Sequence, residues 1–434
     1  MAGLKRCLGI DLGSSRIKVA EIVIEKGKLR LAKVLQADVD IPPGTDEDER
    51  GLRLSRALRD LLKANKITTK EAIFCVPGHA VFQRPVKLPK TSAERLRRII
   101  EYEARQQIPF PLDQTQFEYQ VFEDPQNEEE VEVLLAAIKK DAIQSQVRLF
   151  RRTGLRIAGI GVSYFALFNY HLFDQGKITL DAKTKPAKAK ADKGNGAEKK
   201  DKKGGFSLSF GKKKKVAAEA VTEEPPAGED EIPDLDESFE GDDAFAGDGM
   251  LEEVKAYVNL GAASMDLAIP KTGGLGLVGF CRTIPHAGNE MTKAIQSALA
   301  LDSFREAEEV KQTQAAVLST MYDLRGGDGE AHDRKASEAL TQVVDRRIIG
   351  ELRRSLDFYI SQPDGVAVDG IVLSGGQARL PFLGSYIEEK LGIPVEVIEQ
   401  FNNEDVPLGD GVESADWSSA AVAVGLALQG VGVS

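Results

Sequence analysis

Apolar and polar positions form the same pattern near the start of the chain and again in its second half. Residues 7–12 and 17–24 are apolar β-type runs on either side of a small polar turn, which predicts a β-hairpin. Residues 254–267 repeat the order of strand, small-residue turn and strand. Each hairpin carries a polar residue two positions before its first glycine, Asp11 and Asn259. The repetition predicts a duplicated fold whose two halves face each other.

The pattern after the first hairpin predicts a lobe interrupted by a smaller unit. A strand over 29–37, a helix with apolar residues at helical spacing over 52–62 and a strand over 72–76 follow in order. Residues 79–154 then predict a β-α-β-β-α subdomain inserted into the lobe. A strand over 155–160 and a helix ending near Phe173 return to it. We therefore assign 1–78 and 155–180 to a first lobe.

Regular patterning stops between residues 181 and 250. The segment 181–215 has 13 lysines and 4 acidic residues, and 216–250 has 13 acidic residues without a lysine or arginine. Charge blocks with few apolar residues predict a disordered linker. The simplest interpretation is a solvated tether. The alternative is that the two blocks collapse on each other or recruit a charged partner.

The second lobe is predicted over 251–434. After its hairpin come a strand over 277–283 and three helices, near 287–299, 305–311 and 336–361. A buried strand, 370–374, then runs into a glycine loop and a helix, the order at which an open α/β sheet binds a ligand. A final apolar helix is predicted over 417–428.

Composition narrows the function classes. The chain has 434 residues, 42% of them hydrophobic, and a net charge of −11, which argues against general nucleic-acid binding. Its three cysteines are widely spaced, so a disulfide framework or zinc site is not expected. The sequence lacks both a signal-peptide pattern and a run of about 20 apolar residues. A cytoplasmic protein is expected.

The first hairpin carries groups that suit a phosphorylated ligand. Gly13 lets a ligand approach the backbone, and Ser14 and Ser15 place hydroxyls beside N–H groups that could hold phosphate oxygens. Asp11 could hold a hydrated Mg²⁺, and Lys18 could balance phosphate charge. An ordinary hairpin with a solvated tip remains the alternative from these residues alone.

Three elements together resemble the actin-like, Hsp70-like and sugar-kinase ATPase superfamily: the opening hairpin, the hairpin around Asn259, and the glycine loop after residue 374. The resemblance implies a duplicated actin-like (ribonuclease H-like) two-lobe α/β fold that binds ATP with Mg²⁺ between its lobes. The implied metal residue is Asp11. The implied cofactor-binding residues are Asp11, Gly13, Ser14, Ser15, Lys18, Asn259, Gly261, Ala262, Ala263, Ser264, Glu308, Lys311, Gly375, Gly376, Gln377 and Arg379.

Within that superfamily the run 102–112, Tyr-Glu-Ala-Arg-Gln-Gln-Ile-Pro-Phe-Pro-Leu, is similar to a motif of the type IV pilus assembly protein PilM family. The insertion at 79–154 is placed as in PilM and the division protein FtsA. The resemblance implies a cytoplasmic adaptor, peripheral to the inner membrane, that holds the cytoplasmic tail of a PilN-like inner-membrane protein, and a homo-oligomer is possible. The expected docking residues are Ile108, Pro109, Phe110 and Pro111. The run could equally serve only to end a helix.

Two departures from the superfamily pattern favour nucleotide binding over turnover. Asn259 stands where relatives usually carry Asp, and the turn at 159–163 offers only Ser163 to position a water. We therefore expect slow or no hydrolysis and assign no catalytic residue. Glu308 and Lys311 are also compatible with a simple surface ion pair. The alternatives in function are an FtsA-like filament-forming ATPase and an active ATPase or kinase of the same superfamily.

Overall fold

The structure is a computed structural model that describes residues 4–41, 44–124, 127–177, 253–270, 278–320, 333–362 and 365–432. The predicted linker, 181–250, lies outside the described residues.

The first half of the chain builds a five-stranded mixed sheet. Its strands are β1 (Arg6–Leu12), β2 (Arg16–Glu25), β3 (Lys28–Asp38), β4 (Glu71–Val76) and β8 (Arg156–Val162). The spatial order is β3-β2-β1-β4-β8, with antiparallel pairing from β1 to β3 and parallel pairing from β1 to β8. Helix α1 (Glu47–Ala64) connects β3 to β4 and begins at Asp46, whose carboxylate accepts the N–H of Glu49.

The insertion forms a small three-stranded sheet covered by one helix. Its elements are β5 (Val81–Pro89), α2 (Ala93–Gln107), β6 (Thr115–Asp124) and β7 (Asn127–Lys139), with β7 in the centre of an antiparallel sheet. Leu96 and Ile100 of α2 pack on Val133 and Leu135 of β7 in a separate hydrophobic core. The predicted β-α-β-β order is present.

The helix that was predicted to close the insertion belongs instead to the first sheet. Helix α3 (Lys140–Arg151) connects the insertion to β8, and its Phe150 stacks on Phe74 of β4 at 4.5 Å between ring centroids. Phe150 is fully buried in the main core. The insertion is therefore the three strands and α2, and α3 is the crossover helix between two parallel strands.

The second half repeats the first sheet. Its strands are β9 (Lys255–Leu260), β10 (Met265–Pro270), β11 (Val278–Ile284), β12 (Gly370–Ser374) and β13 (Val395–Val397). Their order, β11-β10-β9-β12-β13, and their directions match those of the first sheet strand for strand. The duplication predicted from two hairpins is confirmed across both sheets.

Helices cover the second sheet. They are α5 (Gly288–Leu299), α6 (Phe304–Thr313), α7 (Arg334–Val343), α8 (Gly350–Ile360) and α9 (Leu383–Leu391). A six-residue π-helical stretch, Val344–Ile349, joins α7 to α8, so the long helix predicted near 336–361 is continuous but locally underwound.

Each half contributes a helix to the other half. Helix α4 (Ser163–Asp174) follows the first sheet and contacts β9 and β10, whereas α10 (Trp417–Val431) follows the second sheet and packs mainly on β1, β2 and α4. The fit against the first sheet is close: a Cβ at Gly9 would overlap the carbonyl oxygen of Ala423 on α10. Helix α10 thus packs on the first sheet although it follows the second in the chain, because helical periodicity does not specify which sheet an apolar helix covers.

The two contributed helices differ in polarity. Helix α10 is buried along nearly its whole length and has no charged residue. Helix α4 buries His171 against Tyr257 of the second sheet at 4.4 Å between rings, and the Asp174 carboxylate accepts from the backbone N–H and side-chain amide of Asn402. Burial, and then nearby lysine charges, lower the pKa of His171 to about 3.

The described residues contain no helix that is both long and apolar enough to cross a bilayer.

Candidate functional site

The tips of the β1–β2 and β9–β10 hairpins close with the same geometry. In the first, the N–H of Gly13 donates to the carbonyl of Arg16 at 3.1 Å; in the second, the N–H of Gly261 donates to Ser264 at 3.0 Å. Ser14 and Ser15 form the first tip and Ala262 and Ala263 the second. Both tips sit at the carboxyl ends of the parallel strands of their sheets, where such sheets bind ligands.

Asp11 and Lys18 face each other at the base of the first tip. They are cross-strand partners in the register, and Lys18 Nζ lies 2.9 Å from Asp11 Oδ2. Both side chains are about one-sixth exposed, 17% and 15%. The other carboxylate oxygen of Asp11 lies 3.5 Å from the Cys75 sulfur, and burial, followed by the Asp11 charge, raises the pKa of that thiol. The cysteine therefore stays protonated and donates to Asp11.

The second hairpin holds an acidic residue that the sequence analysis missed. Asp266 lies directly opposite Asn259, in the register position that Lys18 has opposite Asp11. The signal was in the sequence: Asp266 is a lone charged residue in the apolar run Met265–Pro270. The duplication would have located it had the two hairpins been compared position by position.

Asp266 is 5% exposed and hydrogen-bonded. Thr283 Oγ1 donates to its Oδ1 at 2.6 Å. Burial raises the pKa of Asp266, an effect that the hydrogen bond from Thr283 partly offsets. The negative charge of Asp11 raises this pKa further.

The glycine loop after β12 forms a third side of the candidate site. Gly375 has φ +96°, a conformation that favours glycine, and its N–H donates to the carbonyl of Ser418 at the start of α10. The N–H of Gln377 donates to the carbonyl of Leu260 at the end of β9. A Cβ on Gly376 would meet only the Ser419 hydroxyl, at 3.8 Å, so this glycine borders open space.

Two arginines from different halves approach one carboxylate beside this loop. Arg16 Nη1 lies 3.8 Å from Asp416, and Arg379 Nη1 lies 3.7 Å from it. Asp416 is also the N-cap of α10, accepting from the N–H and hydroxyl of Ser419. The predicted residue Arg379 thus lies at the mouth of the cleft next to the first hairpin.

The two predicted residues on α6, Glu308 and Lys311, bind each other. Lys311 is 1% exposed, and its Nζ lies 2.7 Å from Glu308 Oε2 and 2.9 Å from the Thr292 hydroxyl. Burial would raise the pKa of Glu308, but the Lys311 charge and hydrogen bonds, including that of Thr292, hold it below its usual value. Lys311 therefore positions Glu308, and the more exposed Glu308 and Gln312 form the outer edge of the site.

The residues present fit a nucleotide. Each half has a small-residue turn at the carboxyl end of its parallel strands, a lysine stands at one turn, and the Gly375–Gln377 loop contacts the end of β9 at the other. The side-chain oxygen of Gln377 is buried without a hydrogen-bond partner among the described residues. No cluster of three or more potential metal ligands occurs in the described part of the chain. A cation would therefore depend on Asp11, on phosphate oxygens and on water.

The predicted docking run lies at the end of α2. Ile108 is buried and Phe110 is half-buried, packed on the core of the insertion beneath the Lys139 ammonium at 4.6 Å from the ring. Pro109 and Pro111 are exposed. Two of the four residues thus have a packing role, and two are accessible to a partner.

The base of the insertion contacts both halves. Gln83 of β5 accepts from the Tyr164 hydroxyl of α4 at 3.0 Å, and its amide lies against Cys281 of β11, 3.5 Å from that carbonyl oxygen. Two residues further along β11 is Thr283, which donates to Asp266. A short series of contacts therefore links the insertion to the buried carboxyl group of the cleft.

A family model described as type IV pilus assembly protein PilM matches residues 9–177 and 243–431. Among solved structures, the chain is similar to one titled PilM-PilN type IV pilus biogenesis complex, with a TM-score of 0.65 and 20% identity over 99% of both chains. This likeness supports the fold.

Two further structures match at lower similarity. The ethanolamine utilization protein EutJ from Carboxydothermus hydrogenoformans has a TM-score of 0.44 and 12% identity over 98% of this chain and 90% of that one. MreB 5 of Spiroplasma citri bound to AMPPNP has a TM-score of 0.43 and 10% identity over 98% and 94%.

Proposed function

Because the chain belongs to the family of the type IV pilus assembly protein PilM, we propose that it is an ATP-binding adaptor of a type IV pilus or related secretion machine. In this proposal ATP with Mg²⁺ binds between the two halves, and the insertion docks the cytoplasmic tail of a PilN-like inner-membrane protein. The observation that carries the nucleotide proposal is the pair of identically closed hairpin tips, brought together by two sheets of the same order.

Each loop has a separate part in holding the nucleotide. Backbone N–H groups and hydroxyls at Ser14, Ser15 and Ser264 would bind phosphate oxygens, with Lys18 supplying positive charge. Asp11 would bind the hydration shell of Mg²⁺. The Gly375–Gln377 loop and Glu308 would hold the nucleoside, with the unpartnered Gln377 oxygen accepting a hydrogen bond. Mg²⁺ would neutralise part of the phosphate charge.

Thermal unfolding with and without Mg²⁺-ATP tests this proposal. A ligand that binds only the folded state at a hundred times its Kd stabilises it by about 2.7 kcal/mol, which appears as a higher Tm. Calorimetry should give a single site, and omission of Mg²⁺ should weaken it. An unchanged Tm with every adenine nucleotide, together with no heat of binding, would show that the cleft has another ligand.

Hydrolysis by the isolated protein should be slow. Asn259 has no charge to help order a metal, and the one acidic residue beside it, Asp266, is buried and hydrogen-bonded. Turnover near 1 s⁻¹ or faster, abolished by Asp11→Ala, would instead make the protein an active ATPase. Asn259→Asp provides a comparison, because a gain in rate would identify the amide as the feature that limits turnover.

The docking proposal rests on the exposed end of the insertion. Pro109 and Pro111 are exposed and hold a rigid, accessible backbone, and Tyr102 of the preceding helix is 58% exposed. Phe110→Ala also removes core packing, so a sharper test is Pro109→Ser with Pro111→Ser, using Pro89→Ser on β5 as the control. The double variant should weaken binding of a PilN-tail peptide while leaving the Tm and ATP affinity unchanged. Equal binding by all three proteins would place the docking site elsewhere.

The contacts of Gln83 supply a route by which the two ligands could influence each other. If tail binding shifts β5, Gln83 transmits the shift to β11 and so to Asp266. Binding is reciprocal, so ATP should change tail affinity by the same factor as the tail changes ATP affinity. Gln83→Ala should bring that factor toward one without abolishing either binding event. Sedimentation with and without ATP would separate this adaptor from an FtsA-like filament.

A further inference from the structure

The second half presents large apolar side chains to solvent at the end of its sheet remote from the cleft. They are Phe358, Ile360 and Val366, which together with the partly buried Phe280 are called here the apolar patch. Phe358, Ile360 and Val366 are 56%, 47% and 40% exposed. The parallel strands β9 and β12 begin near this end and reach the cleft at Asn259 and Ser374. The patch is therefore separate from the nucleotide site.

Two members of the patch are in ring contact, and a third lies at the same end of α8. The rings of Phe358 on α8 and Phe280 on β11 lie 5.8 Å apart. Gly365 folds back on the end of α8, with its N–H donating to Gln362 at 2.9 Å and no room for a Cβ beside the carbonyl of Tyr359. This turn brings the neighbouring Val366 to the same end of α8.

The described part of the chain resumes at residue 253, close to the patch. The N–H of Val254 donates to the Asp369 carboxylate at 2.8 Å, and the N–H of Asp369 donates to the carbonyl of Val254, also at 2.8 Å. Asp369 follows Val366 by three residues, so the two Cα atoms are at most about 11 Å apart. The residues just before 253 are thus tethered within reach of the patch.

Those residues have the chemistry to cover it. Residues 239–251 contain four large apolar side chains, Phe239, Phe245, Met250 and Leu251, among acidic residues. The patch is bordered by the exposed arginines 353 and 354 of α8. The nearby Glu351 is directed to Arg282 and Arg354, at 3.1 and 2.8 Å. The apolar side chains of the segment match the patch, and its acidic residues match the two arginines, whose charge the Glu351 and Asp357 carboxylates of α8 offset in part.

We propose that residues 239–251 dock on the apolar patch, with Phe245 and Met250 against Phe358 and the acidic residues toward Arg353 and Arg354. A short tether gives the segment an effective concentration in the millimolar range, so a contact too weak to hold a separate peptide suffices. This inference depends on the fold and not on the nucleotide or tail proposals.

A photo-crosslinking amino acid at position 358 tests the docking in the full chain. p-Benzoylphenylalanine keeps an aromatic side chain at this exposed site. Irradiation of the monomer should give an intramolecular crosslink to peptides from 239–252. The control position is Leu52 on α1, which is similarly exposed at 46% and should give no such product. Phe245→Ser with Met250→Ser should lower the crosslink yield at least fivefold, and Arg354→Gln should lower it less.

Hydrogen exchange in the chain without the crosslinker gives an independent measurement. Amides of 356–362 should exchange at least threefold faster in the Phe245→Ser, Met250→Ser variant, whereas amides of α1 should not change. The inference is wrong if position 358 crosslinks to a second copy or to residues 271–277. It is also wrong if the yield equals that at position 52 or if exchange at α8 is unaffected.

Discussion

The two hairpins that face the cleft share their fold but not their chemistry. In the first, an acidic residue and a lysine form a partly exposed ion pair, Asp11 with Lys18. In the second, the same two register positions hold an amide and a buried carboxyl group, Asn259 and Asp266. Duplication has therefore preserved the backbone closure while the charges were redistributed. The first hairpin therefore presents a partly exposed pair of charges, whereas the second holds a carboxyl group in a buried, hydrogen-bonded setting.

The contributed helices show a similar contrast. Helix α10 reaches the first sheet through apolar contact and close backbone approach, whereas α4 reaches the second sheet through His171 and Asp174. The first interface therefore depends on shape and the second in part on protonation. Four variants test these differences, in order of expected effect.

Gly9→Ala tests the shape-dependent interface and should have the largest effect. A methyl group there would overlap the Ala423 carbonyl, so β1 and α10 must separate. We expect a loss of about 3 kcal/mol in the free energy of unfolding. Gly350→Ala is the control, because its backbone is helical and a Cβ there meets nothing within 4 Å. It should stabilise the protein by about 0.4–1 kcal/mol, and equal losses for both variants would contradict the described packing.

Lys18→Met tests the ligand chemistry of the first hairpin. Loss of one charged hydrogen-bonding group should weaken ATP binding about 10- to 100-fold by calorimetry. The Tm without ligand should also fall, because the largely buried Asp11 carboxylate loses its ion-pair partner, so the Kd is the deciding measurement. Lys28→Met, in the exposed turn between β2 and β3, is the matched control. An unchanged Kd in Lys18→Met would remove the first hairpin from the phosphate site.

His171→Phe tests the protonation-dependent interface. The pKa of His171 is about 3 in the folded protein and near 6.5 when unfolded, so below pH 6.5 the unfolded state alone gains a proton. This histidine should lower the free energy of unfolding by about 2 kcal/mol between pH 7 and pH 5, at about 1.4 kcal/mol per pH unit below 6.5. The variant should lose that part of the pH dependence in denaturant titrations. If the free energy of unfolding changes equally with pH in both proteins, the histidine is accessible to protons in the folded state.

Asp266→Asn tests the second hairpin and should have the smallest effect on stability. Because burial raises the pKa of Asp266, its ionised form destabilises the folded state at neutral pH. The amide should therefore raise the Tm slightly at pH 7, and the difference should shrink as the pH falls toward 4 and the carboxyl group is protonated in both states. A lower Tm at pH 7 would mean that the carboxylate is better stabilised than its burial implies.

The sequence specified the duplication because the alternation of strand positions and the glycine turns are local. It could not specify partners that depend on three-dimensional packing. Phe150 looked like part of the insertion but completes the first core, and the apolar length of α10 is compatible with either sheet. Spacing placed Glu308 beside Lys311 correctly, yet only packing shows that Lys311 is buried and turned toward its partner. Asp266 was predictable, since a lone acidic residue in an apolar strand requires an explanation.

The packing of α10 against β1 affects how the protein folds while it is being synthesised. The strand is made about 400 residues before Trp417–Val431. Until that helix is made, the face of β1 that carries Gly9 has no helix to cover it, so the first sheet must wait, exposed or chaperoned. A polypeptide truncated just before α10 should therefore expose the apolar face of this sheet.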